Sequence, residues 1–108
     1  MSISEVSINQ LADFISKGSR VVDVRELNEY QAGHIPGAIL VPLATVPENT
    51  AVFKSEQNVF IVCRSGGRSM QACEFLHDNE VTNVVNVEGG TMGWIAMGHD
   101  VITGDEPS

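Results

Sequence analysis

Apolar residues Ile8, Leu11, Phe14 and Ile15 recur with helical spacing, and Gly18 closes the segment they define. Ser7, with Gln10 three positions on, fits a capping box, so the chain opens on a helix with a marked start. Arg20 to Val24 is short and rich in β-branched residues, which predicts a strand, and Glu26 to Ala32 suits a brief helix ended by Gly33. Pro36 pushes Ile35 toward an extended conformation and Gly37 can take positive φ, so His34 to Gly37 is a turn and Ile39 to Val41 another short strand. Thr45 to Lys54 has no clear period. Asn58 to Val62, sequence NVFIV, is the clearest buried strand and runs directly into Cys63. A helix over Ser69 to Asn79 places Ala72, Cys73 and Leu76 on one face. Val84 to Val87 gives the next strand, Gly89-Gly90 a turn, and Met92 to Met97 a short helix around Trp94.

Strands alternating with helices imply an α/β domain with a largely parallel sheet, in which strand ends and helix starts meet along one edge. The 108 residues suffice for one domain, expected over 1–103, with 104–108 as a frayed tail. No repeat, low-complexity tract or linker divides the chain. No apolar run approaches the roughly 18 residues of a membrane span, and the segment MSISEVSINQ lacks the character of a secretory signal. The expected compartment is the cytoplasm, where each of the two cysteines is read as a reactive or a buried thiol rather than half of a disulfide. A formal charge of −8 with only six Lys and Arg excludes nucleic acid as the expected partner.

The chemistry concentrates in Cys63-Arg64-Ser65-Gly66-Gly67-Arg68-Ser69, with a strand before it and a helix after. Successive N–H groups in such a loop can converge on one point, and the helix start adds partial positive charge there. A cysteine held at that point is shifted toward thiolate, the nucleophilic form. Gly66 and Gly67 let the backbone close, while Arg64 and Arg68 can draw in a small anion against the acidic background of the whole chain. Cys73 lies on an apolar helix face and is read as core. The pair Cys73 and His77, at i and i+4, lacks a third ligand nearby in sequence, so no metal site is expected. His34 and His99 are read as structural or exposed, and Met92, Trp94 and Met97 as core or rim packing.

Three ordered blocks, VVDVRELNEYQAGHIPGAILVPL at Val21 to Leu43, VFIVCRSGGRS at Val59 to Ser69 and VVNVEGGTMGW at Val84 to Trp94, resemble the rhodanese-like domains. The resemblance implies a five-stranded, mostly parallel sheet flanked by helices on both sides, with the active-site loop wrapped around the catalytic cysteine. It implies that Cys63 is that cysteine and that Arg64, Ser65, Gly66, Gly67, Arg68 and Ser69 form the cradle binding the transferred sulfur. Asp23, Arg25 and Glu29 match the block whose polar side chains support the site from behind, as a buried ion pair or turn contact rather than as catalysts. The implied activity is transfer of a sulfane sulfur from a small anionic donor such as thiosulfate to cyanide, a thiol or an acceptor protein, through a Cys63 persulfide and without cofactor. Phosphatases of this fold have five residues between cysteine and arginine, whereas Cys63 and Arg68 are separated by four. Non-enzymatic members used for binding typically lack the cysteine. A sulfur-relay module stays open as the alternative to a free-standing transferase.

Overall fold

The computed structural model describes residues 3–108. Its five strands are β1 (Ser4–Val6), β2 (Arg20–Asp23), β3 (Ile39–Leu40), β4 (Val59–Val62) and β5 (Val84–Val87), all parallel in the order β1-β5-β4-β2-β3. Three α-helices, α1 (Ile8–Ser16), α2 (Leu27–Ala32) and α3 (Gly67–Asp78), connect successive strands, and α4 (Gly90–Ala96) follows the last one. The α/β sheet with helices on both sides is the architecture that the alternation of patterns requires.

Side chains of a strand alternate between faces, and the two cores divide accordingly. Val22, Val59, Ile61 and Val84 face α3, where Ala72, Cys73 and Leu76 meet them. Val21, Phe60, Val62 and Val85 face the other way, toward Ile8 and Leu11 of α1, Tyr30 of α2 and Trp94 of α4. Each fully buried aliphatic or aromatic side chain is worth about 1.5–3 kcal/mol of transfer free energy, so the central strand β4, buried along its whole length, anchors both layers.

The predicted capping box at α1 is present: Gln10 N donates to Ser7 Oγ at 3.2 Å and Ser7 N to Gln10 Oε1 at 2.9 Å. Three segments carry structure that the residue pattern does not show. β1 is a strand that the residues alone did not reveal, because Ser4-Glu5-Val6 sits at a sheet edge with little buried surface and so shows no apolar alternation. The ambiguous Thr45 to Lys54 region is covered by two 3-10 turns, Leu43–Glu48 and Thr50–Phe53; Pro47 lies inside the first and has no N–H to continue a ladder. Residues 104–108, expected as a frayed tail, make hydrogen bonds to the body of the domain. Gly104 N donates to Gln31 O at 2.9 Å, Gly37 N to Pro107 O at 2.8 Å, and His34 Nε2 lies 2.8 Å from Glu106 O. No helix among the described residues is long and apolar enough to cross a membrane.

The topology selects one crevice. From β2 the chain leaves through α2 on one face, and from the adjacent β4 it leaves through α3 on the other. The carboxyl ends of β2 and β4 therefore lie between diverging connections, the position where open α/β sheets bind ligands.

Candidate functional site

Cys63 directly follows β4 at this crevice and is almost wholly buried, as a free thiol. The loop after it turns at Gly66, whose φ of +121° is open to glycine and strained for any other residue. That turn aims Gly66 N–H at Cys63 Sγ, 3.0 Å away. α3 starts at Gly67, two residues earlier than the pattern predicted, so Ser69 lies within its first turn rather than at its start. Ser69 is completely buried and its hydroxyl reaches Cys63 Sγ at 3.3 Å and Gly66 O at 3.1 Å.

Two effects compete at the thiol. Burial pushes it up, but the Ser69 hydroxyl and the N–H groups of Ser69, Gly66 and Ser65 favour the charged form, and the net result lies below the ordinary thiol value. Cys73, by contrast, has only burial and the nearby carboxylates Glu5 and Glu74, which push it up to about 12. The two cysteines thus sit in opposed surroundings, one whose hydrogen bonds favour the charged form and one whose burial disfavours it.

The two arginines of the loop part company. Arg68 makes a two-pronged pair with Glu29 of α2, Nη1 to Oε1 at 2.7 Å and Nη2 to Oε2 at 2.8 Å. The Arg68 guanidinium holds the Glu29 carboxyl down at about 2. Arg64 is exposed and has no ion-pair partner among the described residues. Ser65 and Gly67 are exposed on the loop's outer surface.

Behind the loop, Asp23 ends β2 opposite Val62 of β4 and is fully buried with Arg25. Arg25 Nε and Nη2 both reach the Asp23 carboxylate, Nη2 at 2.8 Å, and Nη2 also donates to Gly33 O at 2.8 Å. This pair fixes the β2–α2 connection, from which Glu29 reaches across to Arg68. The hydrogen bonds of the Asp23 and Arg25 side chains run to each other and to Gly33; Glu29 is joined to the start of α3 through Arg68.

One contributor escaped the sequence reading. The sequence marks Gly90 only as part of a turn, yet the start of α4 clamps the loop backbone: Thr91 N donates to Cys63 O at 2.8 Å and Met92 N to Arg64 O at 3.0 Å. Gly90 has a φ of +59°, and a Cβ there would stand 2.5 Å from Cys63 O and 2.6 Å from Arg64 O. The signal was present in Gly89-Gly90, but its meaning depends on a loop some 25 residues earlier in the chain.

A parallel sheet with a cysteine-headed loop at the carboxyl end of its central strand, the loop's N–H and hydroxyl groups turned onto the sulfur, defines a class of α/β domain. The chain belongs to the Rhodanese-like domain family, whose model matches residues 7–97. It is 36% identical over 96 residues, 87% of this chain and 92% of the relative, to a protein named putative sulfurtransferase YtwF of Bacillus subtilis. A protein named sulfurtransferase of Allochromatium vinosum is 33% identical, covering 92% of this chain and 91% of its own. The crystal structure of a rhodanese-related protein from Thermoplasma volcanium superposes with a TM-score of 0.84 at 32% identity, over 94% of this chain and 99% of that one.

Proposed function

We propose that the protein is a sulfurtransferase that carries sulfur as a persulfide on Cys63. The observation that carries this reading is the convergence of Gly66 N–H and the Ser69 hydroxyl on a buried sulfur, a field that favours the thiolate. In the first half-reaction the thiolate attacks the outer sulfur of a donor such as thiosulfate. A new S–S bond forms to Cys63, the donor's own S–S bond breaks, and sulfite leaves with its electron pair. In the second, cyanide, a small thiol or an acceptor-protein cysteine attacks the outer sulfur, and the electron pair of the breaking bond returns to Cys63. Electrons balance over the two steps without a metal or organic cofactor.

Within this reading Arg64 meets the anionic donor, because Arg68 is already held by Glu29. Ser65, Gly66 and Gly67 supply the loop backbone around the transferred sulfur. Asp23, Arg25 and Glu29 hold the loop's outer frame. A reducing cytoplasm suits a protein whose chemistry needs Cys63 as a free thiolate.

The test is sulfur transfer from thiosulfate to cyanide by the wild-type protein and by two variants. Cys63→Ser is expected to abolish turnover, whereas Cys73→Ser keeps most of it, since Cys73 is a buried thiol that stays protonated. Turnover surviving in Cys63→Ser would refute the reading.

A further inference from the structure

The Ser69 hydroxyl stands between two acceptors, Cys63 Sγ at 3.3 Å and Gly66 O at 3.1 Å, in a site with no solvent access to the Ser69 side chain. A hydroxyl carries one proton and donates to one acceptor at a time. Gly66 O does not depend on it, because Met70 N also donates to that oxygen at 3.1 Å. The choice is therefore set by the charge on Sγ. A thiolate is a strong, charged acceptor and draws the hydroxyl; the inner sulfur of a persulfide is neutral and weakly accepting, and the hydroxyl returns to Gly66 O. Gly66 N–H cannot make this choice, since its direction is fixed by the backbone.

We infer that Ser69 is a catalytic residue of the unloading half-reaction, its hydroxyl turning from Gly66 O to Cys63 Sγ as the persulfide bond breaks. The inference rests on the persulfide cycle proposed above. When the acceptor's lone pair bonds to the outer sulfur, the electron pair of the Sγ–S bond collects on Sγ. The hydroxyl stabilises this leaving thiolate as it develops, and its proton stays on Oγ throughout. Such a bond, absent from the persulfide and present in the transition state, accelerates the step it serves. In loading the same hydrogen bond works against itself: it raises the thiolate fraction at neutral pH but makes each thiolate less nucleophilic.

This asymmetry gives the experiment. Persulfide-loaded wild type, Ser69→Ala and Ser69→Thr are mixed with cyanide, and loss of the extra sulfur is followed by mass spectrometry over a single turnover. Loading with thiosulfate is measured in parallel at a pH where Cys63 is fully ionised, and iodoacetamide alkylation against pH gives the thiolate pKa of each protein. Ser69→Ala is expected to unload about ten- to a hundredfold more slowly at every pH, the equivalent of one charge-assisted hydrogen bond. Its loading at high pH is unchanged or up to about threefold faster, and its thiolate pKa rises. Ser69→Thr, which keeps a hydroxyl, restores unloading. Equal slowing of both half-reactions, equal loss in the alanine and threonine variants, or unloading of Ser69→Ala at the wild-type rate would overturn the role of Ser69 while leaving the persulfide cycle standing. A wild-type Cys63 that takes up no sulfur from thiosulfate would overturn both.

Discussion

Arg64 and Arg68 are four positions apart, one in the loop and one in the first turn of α3, and the sequence treats them alike; their surroundings do not. Arg68 is spent on Glu29, and a partly exposed pair of this kind contributes only about 0.2–1 kcal/mol, so its value lies in holding the loop against α2. The expected outcome is that Arg64→Ala raises KM for thiosulfate with little change in thiolate pKa, by about ten- to a hundredfold in kcat/KM for a lost charge-assisted contact. Arg68→Ala should instead resemble Glu29→Gln in both kinetics and stability. Steady-state kinetics on the three variants check this, and an equal KM effect from both arginines would show that donor and Glu29 share Arg68. The pair also has a pH signature. Glu29 titrates at about 2 in the folded protein against an ordinary 4.5, so the carboxylate's stabilisation is complete above about pH 4.5 and is lost as pH falls through about 2. The stability difference between wild type and Glu29→Gln, measured by denaturant unfolding, should therefore shrink across that window and not at neutral pH.

The elements that carry the site differ in how plainly they are written in the chain. β4 and the loop after it were legible because an apolar run, a cysteine and two glycines are contiguous and each constrains the next. The Glu29–Arg68 pair was not, because its partners lie 39 positions apart and nothing local records that α2 and the start of α3 face the same crevice. β1 was silent for a different reason: an exposed edge strand gains its order from pairing with β5 and needs no apolar pattern of its own. The start of α4 belongs with these, since Gly90 matters for what it leaves out. Gly90→Ala would force a side chain against the carbonyls of Cys63 and Arg64 and hold alanine at positive φ, a cost of about 2–4 kcal/mol from overpacking and backbone strain together. Thermal unfolding and Cys63 alkylation should show both a lower Tm and a higher thiolate pKa, as the loop N–H groups lose their aim. A variant with wild-type alkylation would mean that the loop holds its shape without the α4 clamp.

At the scale of the whole molecule, the crevice owes its place to diverging connections, and the frame around it is closed from the far side by the last residues of the chain. Residues 104–108 bond to Gln31 in the last turn of α2 and to His34 and Gly37 between α2 and β3. Nothing local in Gly104-Asp105-Glu106-Pro107-Ser108 marks these bonds, which run through backbone groups of the segment and the Asp105 carboxylate. Removing 104–108 is expected to lower stability by about 1–2 kcal/mol, several degrees in Tm for a domain of this size, with transfer activity kept. Calorimetry of the shortened protein checks this, and an unchanged Tm would show that these bonds add nothing in solution. The central claim, that Cys63 carries the sulfur, is tested most directly by intact mass spectrometry with peptide mapping after thiosulfate treatment. One added sulfur atom, located on Cys63 and removed by cyanide, is the predicted result; an unmodified Cys63, or sulfur found on Cys73 instead, would contradict the account.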